Sequence, residues 1–151
     1  MTLVRHARPA DLPEVVRLVA EHAVYEKAAA PPADLARRLE GLLFGDSPAR
    51  LRCLVAETDG GELAGYASCA PELSTWDGTE YLHMDCLFLR ESHRGLGLGP
   101  LLMDAVVAEA RALGLTEVQW QTPAWNTDAM RFYDRLGARG KDKVRYTLPL
   151  G

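Results

Sequence analysis

At 151 residues the chain has the length of one domain, and an apolar content of 48% is enough to bury a core without disulfides or metal. A net charge of −4, with 25% charged residues, excludes a protein whose main task is gripping a phosphate backbone, because that needs a basic excess. Three cysteines without CxxC spacing (Cys53, Cys69, Cys86) predict buried, reduced thiols of a cytoplasmic protein, and neither a leader peptide nor a membrane-spanning segment is expected.

Leu3 to Ala7 reads as a short strand ending at Pro9. Asp11 and Glu14 suggest a capping box, after which Leu12, Val15, Val16, Val19 and Ala23 recur at helical spacing as far as about Lys27. Ala28 to Pro32 breaks that helix, and Asp34, Leu35, Leu39, Leu42 and Leu43 predict another, ending near Gly45. Leu51–Glu57 and Glu62–Ala70 form a predicted hairpin about the Thr58–Gly61 turn. Pro71–Gly78 reads as an irregular loop carrying Trp76, and Tyr81–Leu89 as a mostly apolar central strand covered on both faces. A helix over Leu101–Leu113, a strand over Thr116–Gln121, a helix over Thr127–Leu136 and a last strand over Lys143–Leu150 follow. The order predicts one α/β domain over residues 1–151, a mixed central sheet with helices on both faces.

Chemistry concentrates where the central strand ends. Leu87, Phe88 and Leu89 lead into Arg94-Gly95-Leu96-Gly97-Leu98-Gly99-Pro100 and then a helix. Alternate glycines let the backbone approach a bulky anion, the first helical N–H groups point at it, and Arg94 adds charge. Pro100 costs little in a first turn whose N–H groups lack intrahelical partners. Gly99 is not followed by Lys-Ser/Thr, so this is no P-loop, and the G-x-G-x-G spacing is not the dinucleotide G-x-G-x-x-G. A plain glycine turn between strand and helix is the alternative.

R-x-x-G-x-G resembles the acetyl-CoA pyrophosphate loop of the GNAT superfamily. Downstream, Trp125-Asn126-Thr127-Asp128-Ala129-Met130-Arg131-Phe132-Tyr133-Asp134-Arg135-Leu136-Gly137-Ala138 resembles the second GNAT signature, W-N-x-x-A-x-x-F-Y-x-x-x-G-A. Arg8-Pro9-Ala10-Asp11-Leu12, Ala23-Val24-Tyr25-Glu26-Lys27 and Ser74-Thr75-Trp76 extend the likeness toward the spermidine/spermine N-acetyltransferase-like branch. The resemblance implies the GNAT fold, acetyl-CoA as co-substrate and direct attack on it by a primary amine of a polyamine, diamine or amino-acid-like molecule. It also implies a homodimer, with Val144–Leu148 at the interface; the charge and the lack of a span-length apolar segment predict neither a nucleic-acid nor a membrane partner.

By that resemblance Tyr133 is the acid for the departing thiolate, its phenol being protonated at neutral pH; packing as a helix aromatic is the alternative. Asp85 falls where the branch carries an acceptor-side glutamate and would take the amine's proton, directly or through water, unless it is a structural carboxylate. Cys86 departs from the branch's second acidic residue. Tyr25 and Glu26 match its acceptor-side pair, Glu26 holding a distal ammonium or being a surface charge. Trp76 walls the acceptor pocket or packs in its loop. Asn126 and Ala129 border the cofactor's pantetheine region, with Asn126 also a natural N-cap. His83 and His93 read as structural or solvated, and no His, Cys and acidic set has metal-ligand spacing. The other class of function is an acetyl-CoA-binding module without catalysis; within the enzyme class, a drug or protein N-terminus is the alternative acceptor.

Overall fold

The computed structural model describes residues 2–151, and the chain divides into two compact units, 1–121 and 122–151. The first carries a five-stranded sheet in the order β1 (Leu3–His6), β2 (Arg52–Glu57), β3 (Leu63–Ser74), β4 (Thr79–Leu89), β5 (Val118–Trp120). Neighbours from β1 to β4 are antiparallel, and β4 and β5 are parallel. The parallel pair requires a crossover, which is α3 (Leu98–Ala112).

Helices α1 (Leu12–Tyr25) and α2 (Leu35–Phe44) precede β2. Their apolar stripes close one face of the sheet: Leu12, Val15 and Leu18 of α1 and Leu43 of α2 pack with Cys53, Val55, Leu63, Tyr66 and Phe88. On the other face α3 buries Leu102, Met103, Val106 and Ala110 and packs on β1 to β4. The fold is the expected α/β arrangement, with helices on both faces of a mixed sheet.

Several boundaries differ from the sequence reading for local reasons. Asp11 does not cap α1 in a box with Glu14; its carboxylate accepts from the Arg8 amide at 2.6 Å and from the Arg5 guanidinium at 2.7 Å. Arg5 also donates to Glu57 at 2.6 Å, so β1, β2 and the approach to α1 are tied together, and the Arg5 hydrogen bond holds the Asp11 carboxyl below the usual carboxylate range. Helix α1 ends at Tyr25 because Lys27 turns left-handed (φ 59°) and the Ala28 amide closes on Ala23 O at 2.8 Å. Strand β3 runs on through Pro71–Ser74, paired with Thr79–Leu82, so the loop shrinks to Thr75–Gly78.

Of the expected stripe of α1, Leu12 and Val15 are buried and Val19 packs half-buried against the core, while Val16 and Ala23 are half-buried and Leu18 and His22 complete the buried line. In the second unit α4 (Thr127–Arg135) forms where expected, with Asn126 as its N-cap. The expected strand over Lys143–Leu150 is absent: residues 138–151 have no regular secondary structure. A strand exists only where a neighbour supplies ladder partners.

Gly65 of β3 lies against β4 so closely that a Cβ there would fall inside contact distance of Phe88 O and 3.1 Å from Leu89 Cα. Backbone atoms cannot swing aside as a side chain can. Gly65→Ala should therefore cost about 1–3 kcal/mol of stability, read as a lowered urea midpoint at unchanged slope; an unchanged midpoint would show that β4 yields at that point.

Candidate active site

Strand β4 contains one residue more than its partner needs. Ser68 of β3 is opposite Cys86 and Cys69 is opposite Met84, so Asp85 is the extra residue of a bulge. Cross-strand partners share a face: Tyr66 with Phe88 and Ser68 with Cys86 look toward α1, whereas Cys69 with Met84 looks toward α3. The bulge turns Asp85 onto the α1 side beside Cys86.

Asp85 is exposed, not buried in an apolar strand as its neighbours in sequence suggest, because a bulged residue leaves the ladder. Its Oδ1 lies 3.7 Å from His83 Nε2, and the Cys86 thiol donates to its Oδ2 at 3.7 Å. His83, read as structural or solvated, is thus the neighbour of the predicted carboxylate. Burial pushes the Cys86 thiol up to about 11, which keeps it a neutral hydrogen-bond donor.

Past Leu89 the chain makes a short turn and enters α3 three residues earlier than the spacing predicts, so that Leu98, Gly99 and Pro100 form its first turn. Gly95 and Gly97 both have φ 78°, a conformation that L side chains rarely adopt, and a Cβ built on either meets nothing within 4 Å. The turn is an open backbone cradle at a helix start. No side chain caps α3, so the Leu98 and Gly99 N–H groups are available to a ligand. Leu96 stands exposed on the rim and Leu98 is buried beneath it. These features fit a group that carries phosphates.

The Arg94 Nε donates to Leu89 O at 3.0 Å, and its guanidinium sits 4.6 Å from the Tyr25 ring centre and 5.6 Å from that of Phe88. Tyr25 and Phe88 are themselves 6.0 Å apart. The predicted cofactor residue Arg94 and the predicted acceptor residue Tyr25 are therefore in contact through one aromatic group. Arg90 locks the end of β4 to α1, with Glu14 at 2.7 Å, Glu21 at 2.9 Å and Leu63 O at 2.9 Å.

Glu26 follows Tyr25 at the end of α1, half-buried, and accepts from His22 Nε2 at 2.6 Å. His22 is a residue that the sequence reading passed over; its signal was its place on the buried stripe, seven positions after Val15. Trp76 is not brought to this group. It lies at the tip of the β3–β4 hairpin, 91% exposed, and Asp85 lies six positions beyond the Thr79 pair that closes that tip, roughly 20 Å along the strand.

Asn126, Ala129 and Tyr133 belong to the second unit. The Asn126 side chain accepts from the Ala129 amide at 3.2 Å, the capping bond expected of it, and is buried. Tyr133 is half-buried on α4, its ring 5.4 Å from Phe132. Among the described residues no group of three or more His, Cys, Asp or Glu side chains is arranged to hold a metal, and no helix is long and apolar enough to cross a membrane.

Comparison with known proteins matches residues 14–138 to the Acetyltransferase (GNAT) family. Thialysine N-epsilon-acetyltransferase of Bos taurus is 30% identical over 91% of this chain and 84% of its own length. L-ornithine N5-acetyltransferase of Arabidopsis thaliana is 30% identical over 62% of this chain and 41% of its own. Among solved structures, the ribosomal-protein-alanine N-acetyltransferase of Brucella melitensis superposes with a TM-score of 0.78 at 20% identity, covering 99% of this chain and 100% of that one, and shares the fold.

Burial raises all three thiols, Cys53 to about 12 and Cys69 and Cys86 to about 11. Iodoacetamide at pH 8 should label the native protein on the order of a hundredfold more slowly than a small free thiol, since only the thiolate reacts. Labelling of Cys86 at the free-thiol rate would contradict its neutral state; labelling in guanidinium supplies the unfolded reference.

Proposed function

Because the chain belongs to the GNAT family and is an N-acetyltransferase, we propose that it moves the acetyl group of acetyl-CoA to a primary amine of a small molecule, a diamine, polyamine or amino-acid-like acceptor, by direct attack. The observation that carries this reading is the open glycine cradle at the head of α3, which directly follows the strand that turns Asp85 outward. The N–H groups of Gly95 to Gly99 and the Arg94 guanidinium would hold the pyrophosphate, beside Leu87, Phe88, Leu89 and Pro100, with Asn126 and Ala129 toward the pantetheine arm. The bound thioester supplies an activated acetyl group.

Asp85 is an exposed carboxylate able to accept the acceptor's ammonium proton, directly or through one water. Tyr133 holds on its Oη the proton that a departing thiolate requires. Glu26, with Tyr25 beside it, holds a second ammonium at the far end of the acceptor. Thialysine and ornithine, the acceptors in two relatives' names, are both diamino acids, which supports that assignment. Trp76 joins the acceptor side only if the hairpin tip reaches the bound molecule.

The chain acts as a single cytoplasmic domain in this reading, as a homodimer. Val144, Tyr146, Leu148 and Leu150 alternate with polar residues and proline and are each more than three-quarters exposed, a strand pattern that a second copy would pair and cover.

Calorimetry with acetyl-CoA, followed by thiol release across a panel of amines, tests the function. Binding together with release on small diamines or diamino acids is the expected result; binding without release on any amine would make the protein a binding module. Gly97→Val places a β-branched residue where φ is 78° and a side chain against the phosphates. It should weaken acetyl-CoA binding at least about tenfold, and unchanged binding by a folded variant would remove the cradle from the site.

Tyr133→Phe keeps the ring and removes the proton. Turnover should fall about 10²–10⁴-fold with acetyl-CoA affinity intact; full activity with chemistry rate-limiting would exclude Tyr133 as the acid.

A further inference from the structure

His22 is 8% exposed, and both of its ring nitrogens are engaged. Nε2 meets Glu26 Oε2 at 2.6 Å, and Nδ1 meets Tyr66 Oη at 2.8 Å. The ring stacks on Phe88 with centres 5.0 Å apart and planes 17° from parallel. Glu26 faces His22 from its own helix, Tyr66 from β3 and Phe88 from β4. Behind Tyr66 is the Cys86 thiol, within hydrogen-bonding reach, and over the outer part of Phe88 stand the Tyr25 ring and the Arg94 guanidinium. Burial pushes the Tyr66 phenol well above its usual range, so it carries its proton throughout.

These contacts allow His22 two states of different charge. In the neutral state Nε2–H donates to Glu26 while the Tyr66 hydroxyl donates to Nδ1, and the carboxylate keeps its full negative charge. In the protonated state Nδ1–H donates to Tyr66, whose hydroxyl turns toward Cys86, and the cationic ring cancels the charge on Glu26. Imidazole is the side chain whose ordinary range brings a change of charge between pH 5 and 8.

We infer that His22 is a positioning residue for acceptor choice: it aims the Glu26 carboxylate and, by its own protonation, sets how strongly Glu26 favours acceptors bearing a second ammonium. The inference rests on the reading that Glu26 holds that ammonium. Attraction is strongest with His22 neutral, so the preference rises with pH.

The readout is the ratio of kcat/KM for putrescine to kcat/KM for n-butylamine, from pH 5.5 to 8. The attacking amine's own protonation affects both acceptors alike and cancels. In the parent protein the ratio should rise about tenfold or more across this range. His22→Gln offers an N–H to Glu26 and an oxygen to Tyr66 but does not titrate, so its ratio should be flat, near the parent's high-pH value. A His22→Gln ratio that follows the parent's curve overturns the inference. Glu26→Gln separates the two readings: loss of the putrescine preference at every pH supports the Glu26 assignment, whereas retention defeats it and the inference with it.

Should His22→Gln fail to fold, an NMR titration of His22 in the parent protein decides the matter. Linkage is reciprocal, so saturating putrescine should lower the His22 midpoint by about one pH unit or more, the same tenfold coupling, while n-butylamine leaves it in place. Equal midpoints with the two amines would overturn the inference.

Discussion

The register of β3 against β4, broken once at Asp85, decides which side chains meet on each face of the sheet. Without the extra residue, Met84, Cys86 and Phe88 would alternate onto one side, and either Met84 would leave the α3 core or Phe88 would leave the α1 core. With it, Met84 stays with Cys69 under α3 while Cys86 and Phe88 turn to α1. A carboxylate at the break can therefore stand in solvent in the middle of a strand, between buried Met84 and half-buried Cys86. The cost is one lost pair of ladder bonds, and the close approach at Gly65 and the Arg90 clamp hold the strand in place beyond it.

The α1 face is a core that admits polar groups only in satisfied pairs. His22 and Tyr66 lie among Leu18, Val15 and Phe88, where an unmatched imidazole or phenol would cost about 1–3 kcal/mol. Each is matched by the other, and the row opens to solvent at Glu26. The other buried polar residue of this unit's helices, Glu109 of α3, is matched by His6 at 2.5 Å and Arg52 at 3.2 Å on the opposite face. That cluster ties β1 and β2 to α3 and reaches none of the residues assigned to the reaction. The two faces use the same chemistry, one to join elements and the other to carry a carboxylate to the surface.

Much of this was legible before any coordinates. Arg94 to Pro100 marked an open turn because alternate glycines stand there between a strand and a helix, and Asn126 was placed at its cap by residue type alone. The exposure of Asp85 was not legible: a bulge is a relation between two strands, and Tyr81–Leu89 alone reads as an apolar run. His22 was hidden for a related reason. A stripe beginning at Leu12 and Val15 continues equally well through Val16 and Val19 or through Leu18 and His22, and only the sheet beneath decides. The strand expected over Lys143–Leu150 follows the same logic: its pattern is plain, but no strand of the sheet pairs with it among the described residues.

The electrostatics of the α1 face also bear on how an acetyl group can be moved. A covalent relay needs a nucleophile activated by a base, and the thiol nearest the exposed carboxylate is Cys86. Burial holds that thiol near 11 and Asp85, being negative, adds to the shift in the same direction, so the carboxylate beside it opposes thiolate formation instead of promoting it. The phenol of Tyr66 is held neutral by the same burial. Beside the Arg90 clamp with Glu14 and Glu21, this side of the sheet carries Glu26, Asp85 and Arg94, which suits the cationic amine and the anionic phosphate group of the proposed reaction. That agrees with the proposed reading, in which the acceptor's own nitrogen attacks and the protein frees it of its proton and holds the molecule by its other end.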